Sequence, residues 1–331
     1  MPWSEAAAWA LAAAVGSASL TLLSIRYARR RGLLDAPGER RSHAQATPRG
    51  GGIAIVAMCL AAMLLLALRA EQPAGWWLAI AGLLLVAGIG WWDDHRPLPA
   101  WPRLLAHLLA AAMLALAAWH WSGDWRLVLL AFLTTPVMVN AWNFMDGIDT
   151  LATGQALLCA GAVALLGATA ALAPALVLAG ACAGFLLFNR PPARIFLGDV
   201  GSGALGYQLV VLALLALPAL PARAWPLLLL PPMAMLMDAS ATLLWRMRQR
   251  HRWWQPHVQH AYQRWSRRIG HGRVSLAYSG WTAGVIGVML CTRRADLAWV
   301  VAVVLAAAVA SGLAWWQVFS PGRGHPREGI N

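Results

Sequence analysis

Between two long apolar runs the chain reads Asn-Ala-Trp-Asn-Phe-Met-Asp-Gly-Ile-Asp from Asn140 to Asp149, two amides and two carboxylates within sequence that otherwise resembles lipid-soluble helix. An ionisable side chain at membrane depth is costly, which makes this cluster a candidate functional site facing a cavity or the membrane surface. A second cluster, Asp93-Asp94, closes the apolar run Gly-Ile-Gly-Trp-Trp-Asp-Asp. Adjacent carboxylates repel, so a divalent cation or an arginine-rich partner explains them better than a charged helix end at the interface. A third, Asn189 to Ser202, ends in Gly-Asp-x-Gly-Ser and opens another apolar run. Such a turn at a helix start offers free N–H groups to phosphate, and Asp199 a hard oxygen to magnesium; an aspartate helix cap is the structural alternative.

Two further stretches carry polar or cationic groups. In His43 to Gly52 the turn Thr-Pro-Arg-Gly-Gly-Gly brings Arg49 and a flexible backbone to the start of a span, where the chain can approach an anion closely or form a plain loop. After the ninth apolar segment come Arg246, Arg248, Arg250, His251 and Arg252, then Trp253, Trp254, His257, His260, Tyr262, Gln263 and Arg264. The two tryptophans suit the membrane interface, and the basic residues suit anionic headgroups. His257 and His260, three apart, can point at one ligand, for which phosphate fits better than a metal beside an oxygen-rich site.

These clusters must be held by membrane helices. Of 331 residues 60% are hydrophobic and 12% charged, too apolar for an ordinary soluble domain and enough for roughly ten spans of ~20 residues each. The expected fold is an all-α polytopic membrane protein of about 10–11 helices, with eleven apolar segments at about 4–25, 51–69, 76–92, 103–120, 126–140, 151–168, 172–188, 201–217, 225–245, 273–291 and 297–319. The segment 126–140 is short for a span. We expect one transmembrane domain over 1–331, with cytoplasmic loops at about 26–50, 93–103, 140–150, 189–200 and 246–272 and a tail at 320–331. The four cysteines sit singly in apolar segments and read as small buried hydrophobes.

Every one of the 26 cationic residues is arginine, and the net charge is +13. All but five of them (Arg69, Arg126, Arg223, Arg293 and Arg294) fall after odd-numbered spans or in the tail, so the positive-inside rule puts those loops in the cytoplasm and the N-terminus outside. The charge excess is then mainly topological, and nucleic acid is not an expected partner. The polar clusters follow the odd spans too and share one face. That placement argues against a transporter or flippase for a phosphorylated lipid or ion, the alternative function, because alternating access favours a site near the midplane. Asp238, within the ninth segment, is the one deep carboxylate outside the clusters; a hydrogen bond to a neighbouring helix is the favoured reading of it.

Taken together, Asp-Asp-x5-Pro-x3-Arg-x3-His (Asp93 to His107, with Arg103), Asn-x2-Asn-Phe-Met-Asp-Gly-Ile-Asp (Asn140 to Asp149), Asn-x2-Pro-Ala-Arg-Ile-Phe-Leu-Gly-Asp-x-Gly-Ser (Asn189 to Ser202, with Arg194 and Phe196) and His-x2-His-Ala-Tyr-Gln-Arg (His257 to Arg264) resemble the polyprenyl-phosphate N-acetylhexosamine-1-phosphate transferases. The resemblance is to the bacterial branch that starts O-antigen and related glycans more than to the MurNAc-pentapeptide translocase. It implies a magnesium-dependent enzyme of the inner membrane, with manganese as an alternative ion. A UDP-N-acetylhexosamine of the GlcNAc, FucNAc or QuiNAc type would give its sugar-1-phosphate to undecaprenyl phosphate and release UMP. Membrane lipids surround such an enzyme, and a homodimer is a candidate assembly. By motif position Asp199 is the expected metal ligand, and Asp93 and Asp94 the carboxylates at the acceptor phosphate. Asp149, Asn189 and Phe196 are expected at the uracil, Asn143 and Asp146 to shape the nucleotide site, and His257 and His260 at the diphosphate; Asn140, Arg49, Arg103 and Arg194 complete the expected substrate contacts. The chain departs from the pattern in lacking a third acid after Asp94, in having Thr150 where glycine is usual, and in having Val258 where an arginine often lies.

Overall fold

The computed structural model describes residues 3–35, 46–251 and 257–319. His43, Arg252, Trp253 and Trp254 lie outside the described residues. The fold is all-α apart from a pair of two-residue antiparallel strands, β1 (Leu34–Asp35) and β2 (Thr47–Pro48). The described residues form twelve α-helices, of which all but the arginine-rich α10 follow the apolar pattern: α1 Trp3–Arg31, α2 Ile53–Arg69, α3 Ala74–His95, α4 Ala100–Ser122, α5 Trp125–Phe144, α6 Leu151–Leu165, α7 Thr169–Asn189, α8 Asp199–Ala216, α9 Met233–Arg248, α10 Ala261–Ile269, α11 His271–Thr292 and α12 Leu297–Phe319. Eight helical segments are long and apolar enough to cross a membrane, and a bent pair adds a ninth. The two remaining expected spans, α2 and α6, are shorter apolar helices of 17 and 15 residues.

Three boundaries differ from the sequence expectation. The short segment 126–140 lengthens to a 20-residue α5, started by the Asp124 carboxylate accepting from Arg126 N and carried through Asn143. Asn140 and Asn143 are therefore helical and not in a loop. Asp93 and Asp94 likewise belong to the last turn of α3, and the loop there shrinks to 96–99. The expected single span 225–245 is instead a 3-10 helix, Ala222–Leu229, joined to α9 at a 65° bend. Pro231 and Pro232 sit at the break; proline offers no backbone N–H and disfavours helix in the residue before it, so the hydrogen-bond ladder stops there.

Helix α8 is the central pillar: its most apolar window is 94% buried, against 17% for that of α12. Helices α2, α3, α5, α6 and α7 pack around it. Small residues permit the closest approaches, as expected where lipid supplies no hydrophobic drive between helices. A Cβ on Gly90 of α3 would collide with the Asp199 carbonyl, and one on Gly52 with Gly201 Cα. The first turn of α8 is thus wedged between the ends of α2 and α3. Large apolar side chains such as Leu11, Leu68, Trp101, Leu276 and Leu313 are exposed outside this core, as a lipid-facing surface requires.

Candidate active site

The ends of α3, α5 and α7 and the start of α8 meet at one end of the bundle, around a cavity of about 440 Å³. Five carboxylates line it, Asp35, Asp94, Asp146, Asp149 and Asp199, together with Arg49, Asn189 and Phe196. Residues from the sequence-predicted clusters, from Arg49 to Gln263 along the chain, are brought to one place.

Asp94 has a structural task. Its Oδ1 accepts from Asp199 N at 3.0 Å and its Oδ2 from Val200 N at 3.1 Å, so the α3 carboxylate caps α8 from 105 residues away. A carboxylate at a helix N-terminus answers both orphan N–H groups and the helix dipole. The remaining N–H groups of that turn, on Gly201 and Ser202, bond Gly198 O. The expectation that the Gly-Asp-x-Gly-Ser turn leaves its N–H groups to a phosphate is corrected here: Asp94 and Gly198 already satisfy them. Arg49 donates to the Asp94 carbonyl.

Asp93 points the other way. It accepts from Leu98 N at 2.6 Å and from Arg103 at 3.1 Å, joining α3 to the start of α4. Arg103 also donates to Asn143 Oδ1 at 2.9 Å and lies 3.5 Å from Asp199 Oδ2. Asn143 in turn donates to Asp199 Oδ1 at 2.8 Å and to Ser202 Oγ at 3.1 Å. Asp93, Arg103, Asn143 and Asp199 therefore form one continuous network that fixes the Asp199 carboxylate at the cavity wall. Asn140 is one turn short of this network and donates to Pro136 O within its own helix.

Asp146, in the turn after α5, has its carboxyl held well above the usual range, first by burial and then by the charges of Asp199, Asp94 and Asp149. Such mutual repulsion is what a cation relieves. Among the described residues, no three acidic, histidine or cysteine groups come together as a metal cage. Magnesium keeps several waters and takes one or two protein carboxylates along with substrate phosphates. Asp199, with lone pairs left after its bonds to Asn143 and Arg103, and Asp146 are the groups with the right chemistry.

Asp149 is 7% exposed; it accepts from Ala193 N at 3.2 Å and lies 3.4 Å from His271 Nδ1. Asn189 accepts from Thr150 N and donates to Ile195 O. Phe196 is tied to the loop before α2 through Pro48 O and Gly51 N. Thr150 adopts φ +73°, a left-handed conformation that a β-branched residue resists, which gives a physical reason for glycine at this place. Thr150→Gly should raise stability by about 1 kcal/mol by removing that strain. A thermal shift of the purified protein checks this; a lower Tm would show that the Thr150 Oγ1 bond to Asn189 O outweighs the strain.

Of the expected site residues, Asp93, Arg103, Asn140 and Asn143 are absent from the cavity lining, and so are Arg194, His257 and His260. Arg194 is exposed, with its guanidinium over the Phe188 ring. His260 is 3% exposed, stacks on His257 at 4.8 Å, and has Nδ1 3.7 Å from Asp238 Oδ1. Burial and neighbouring positive groups pull His257 down to about 4, so it is neutral at physiological pH. Neither histidine lines the cavity, whereas Gln263, Ser266, Arg267 and His271 do. Sequence reasoning assigned these last four no role at the site. The i, i+4 spacing of Gln263 and Arg267 on one helix face was the available signal.

Asp238 explains how that wall is held. Its carboxylate accepts from Ala261 N and Tyr262 N at 2.9 Å, from Tyr278 Oη at 2.8 Å and from Thr242 Oγ1 at 3.1 Å. It caps α10 and ties it to α9 and α11. The expectation of a hydrogen bond to a neighbouring helix is met, with backbone donors from α10 included.

Residues 76–217 match the Glycosyl transferase family 4 pattern. Similar proteins include a phospho-N-acetylmuramoyl-pentapeptide-transferase of Lacticaseibacillus paracasei, 33% identical over 56% of this chain and 64% of that protein. A decaprenyl-phosphate N-acetylglucosaminephosphotransferase of Mycolicibacterium smegmatis is 34% identical over 57% of this chain and 53% of that one. A probable undecaprenyl-phosphate N-acetylglucosaminyl 1-phosphate transferase of Bacillus subtilis is 30% identical over 60% and 59%. The chain spans less than two thirds of the length of each, and the matches favour neither the pentapeptide nor the N-acetylglucosamine branch. The matched residues 76–217, less than half of the chain, carry Asp93, Asp94, Asn143, Asp146, Asn189 and Asp199, and over them the chain is similar to glycosyl transferase family 4.

Proposed function

We propose that the protein is a magnesium-dependent phosphoglycosyl transferase that moves an N-acetylhexosamine-1-phosphate from a UDP-sugar to undecaprenyl phosphate, releasing UMP. The observation that carries this reading is the convergence of Asp94, Asp146, Asp149 and Asp199 with Asn189 and Phe196 on one cavity at one end of a membrane bundle. The names of the relatives, which act on decaprenyl or undecaprenyl phosphate or on phospho-N-acetylmuramoyl-pentapeptide, support the reaction class. By the positive-inside rule the cavity faces the cytoplasm of an inner membrane, and the product would begin O-antigen or a related envelope glycan.

The reaction brings a diphosphate against a phosphate. At about 4 Å and an effective dielectric of 20, each pair of unit charges costs about 4 kcal/mol. Magnesium bound at Asp199 would offset that repulsion and polarise the donor. The protein's own residues do the positioning: Arg103 and Asn143 hold Asp199, and Asp94 holds the start of α8. Asp149 and Asn189 offer polar groups to a uracil against which Phe196 can stack. The acceptor phosphate, with a second pKa near ~6, is already largely dianionic at neutral pH. Phosphoryl transfer then needs alignment and charge stabilisation more than a strong base.

The test is incubation of purified protein with undecaprenyl phosphate, magnesium and a panel of UDP-sugars. The expected products, identified by mass, are UMP and a sugar-diphosphate lipid. Because one diphosphate is exchanged for another, added UMP should regenerate UDP-sugar from the product lipid. Vesicle transport of a phosphorylated lipid with no UMP from any donor would overturn the reading in favour of a transporter.

A further inference from the structure

We propose that Arg267 clamps the diphosphate of the nucleotide donor, an inference that rests on the function proposed above and adds a site residue to it. The cavity presents five carboxylates, yet an anionic ligand entering it needs positive charge. Of the cationic side chains that line it, Arg49 is tied to the Asp94 carbonyl. His271 lies against Asp149. The Arg267 guanidinium makes no hydrogen bond or ion pair among the described residues, though it lines the same cavity.

The setting of Arg267 is built. Helix α10 is pinned at its N-terminus by Asp238, which receives Ala261 N and Tyr262 N. The Tyr262 hydroxyl donates to Phe144 O at 3.0 Å, and a Cβ on Gly147 would collide with that hydroxyl, so α10 lies directly on the Asp146 turn. One helical turn beyond Gln263, Arg267 lines the same cavity as the carboxylates. Three arginines crowd this short helix, an unfavourable arrangement at i, i+3 and i, i+4 spacings. Arg264 is engaged, lying 4.0 Å from the Phe319 ring centroid and donating to Phe319 O. Arg268 and Arg267 both suit the helix C-terminus electrostatically, but only Arg267 reaches the cavity. The apolar Val258 lines the same cavity, so a guanidinium placed there would reach the same ligand. Arginine binds phosphate oxygens through two parallel N–H donors, the geometry a diphosphate accepts.

The test compares binding of UDP and of uridine to the full chain in magnesium, for wild type, Arg267→Gln, Arg267→Lys and Arg268→Gln. Loss of a charge-assisted hydrogen bond should weaken UDP by at least ~tenfold in Arg267→Gln. Uridine binding should stay within about twofold, since it carries no phosphate to lose. Arg267→Lys should fall between, and Arg268→Gln should match wild type. In turnover the Arg267→Gln defect should appear in KM for the UDP-sugar and not in KM for undecaprenyl phosphate. Adding Val258→Arg to Arg267→Gln should restore part of the UDP affinity. Unchanged UDP affinity in Arg267→Gln, an equal loss for uridine, an equal loss in Arg268→Gln, or a shift in the acceptor KM would each overturn the clamp. Wild-type protein that binds UDP while Arg267→Gln binds it equally well refutes the clamp alone. Wild-type protein that binds no uracil nucleotide refutes the proposed function and the clamp with it.

Discussion

Asp199→Asn should lower kcat by about three orders of magnitude, with no recovery at high magnesium, because catalysis of phosphoryl transfer rests chiefly on electrostatic stabilisation of the transferring group. The substitution keeps the shape, and Asn143 can still donate to the Oδ1 that remains. Folding should therefore be little changed, and the lost quantity is the negative oxygen facing the cavity. UMP release from a UDP-sugar measures the effect, and a thermal shift on adding magnesium provides the independent readout. The wild type should be stabilised by the ion and the variant should not. Near-normal turnover, or a magnesium shift retained in full, would move metal binding to Asp146.

The second large effect is expected at Asp238, which touches no substrate. Its carboxylate satisfies two backbone N–H groups of α10 and two hydroxyls while 2% exposed. Asp238→Ala leaves these donors buried and unpaired, a cost of about 3 kcal/mol or more. Helix α10 and its Gln263 and Arg267 would lose their anchor. KM for the UDP-sugar should rise by about tenfold or more even where protein remains folded. Donor kinetics together with a melting curve distinguish the two consequences. A drop in Tm with donor KM unchanged would show that α10 keeps its place without the cap.

The two carboxylates differ in how they could be read from sequence. Asp199 sits in a motif whose residue types state their chemistry, an acid beside glycines at the start of an apolar run. Asp238 sits in an apolar helix as Met-Asp-Ala-Ser, where nothing local distinguishes a cap from a site. Asp94 occupies the middle ground: its motif marked it, yet its two hydrogen bonds go to the backbone of α8, and its strongest visible duty is to hold Asp199 in place. For the histidines the motif signalled importance, and neither is among the residues that line the cavity. His260 is buried against Asp238, and Arg267, outside the quoted motif, lines the cavity.

What this chain determines by sequence alone are the apolar segments, the polar clusters between them and the family those clusters resemble. Hydropathy and residue type are local properties, and the eleven expected segments reappear as helices because burial of backbone polar groups in lipid leaves a span little alternative. Even so, the broken span at Pro231 and Pro232 shows that composition alone does not decide whether an apolar run is one straight helix. Tertiary structure alone decided which donor meets which acceptor. Asp94 with Asp199 N, Arg103 with Asn143 and Asp238 with Tyr262 N join residues 105, 40 and 24 positions apart. No spacing rule links such pairs, because they arise from how α3, α5, α8 and α10 pack, and that packing is set by side-chain shape at many contacts at once.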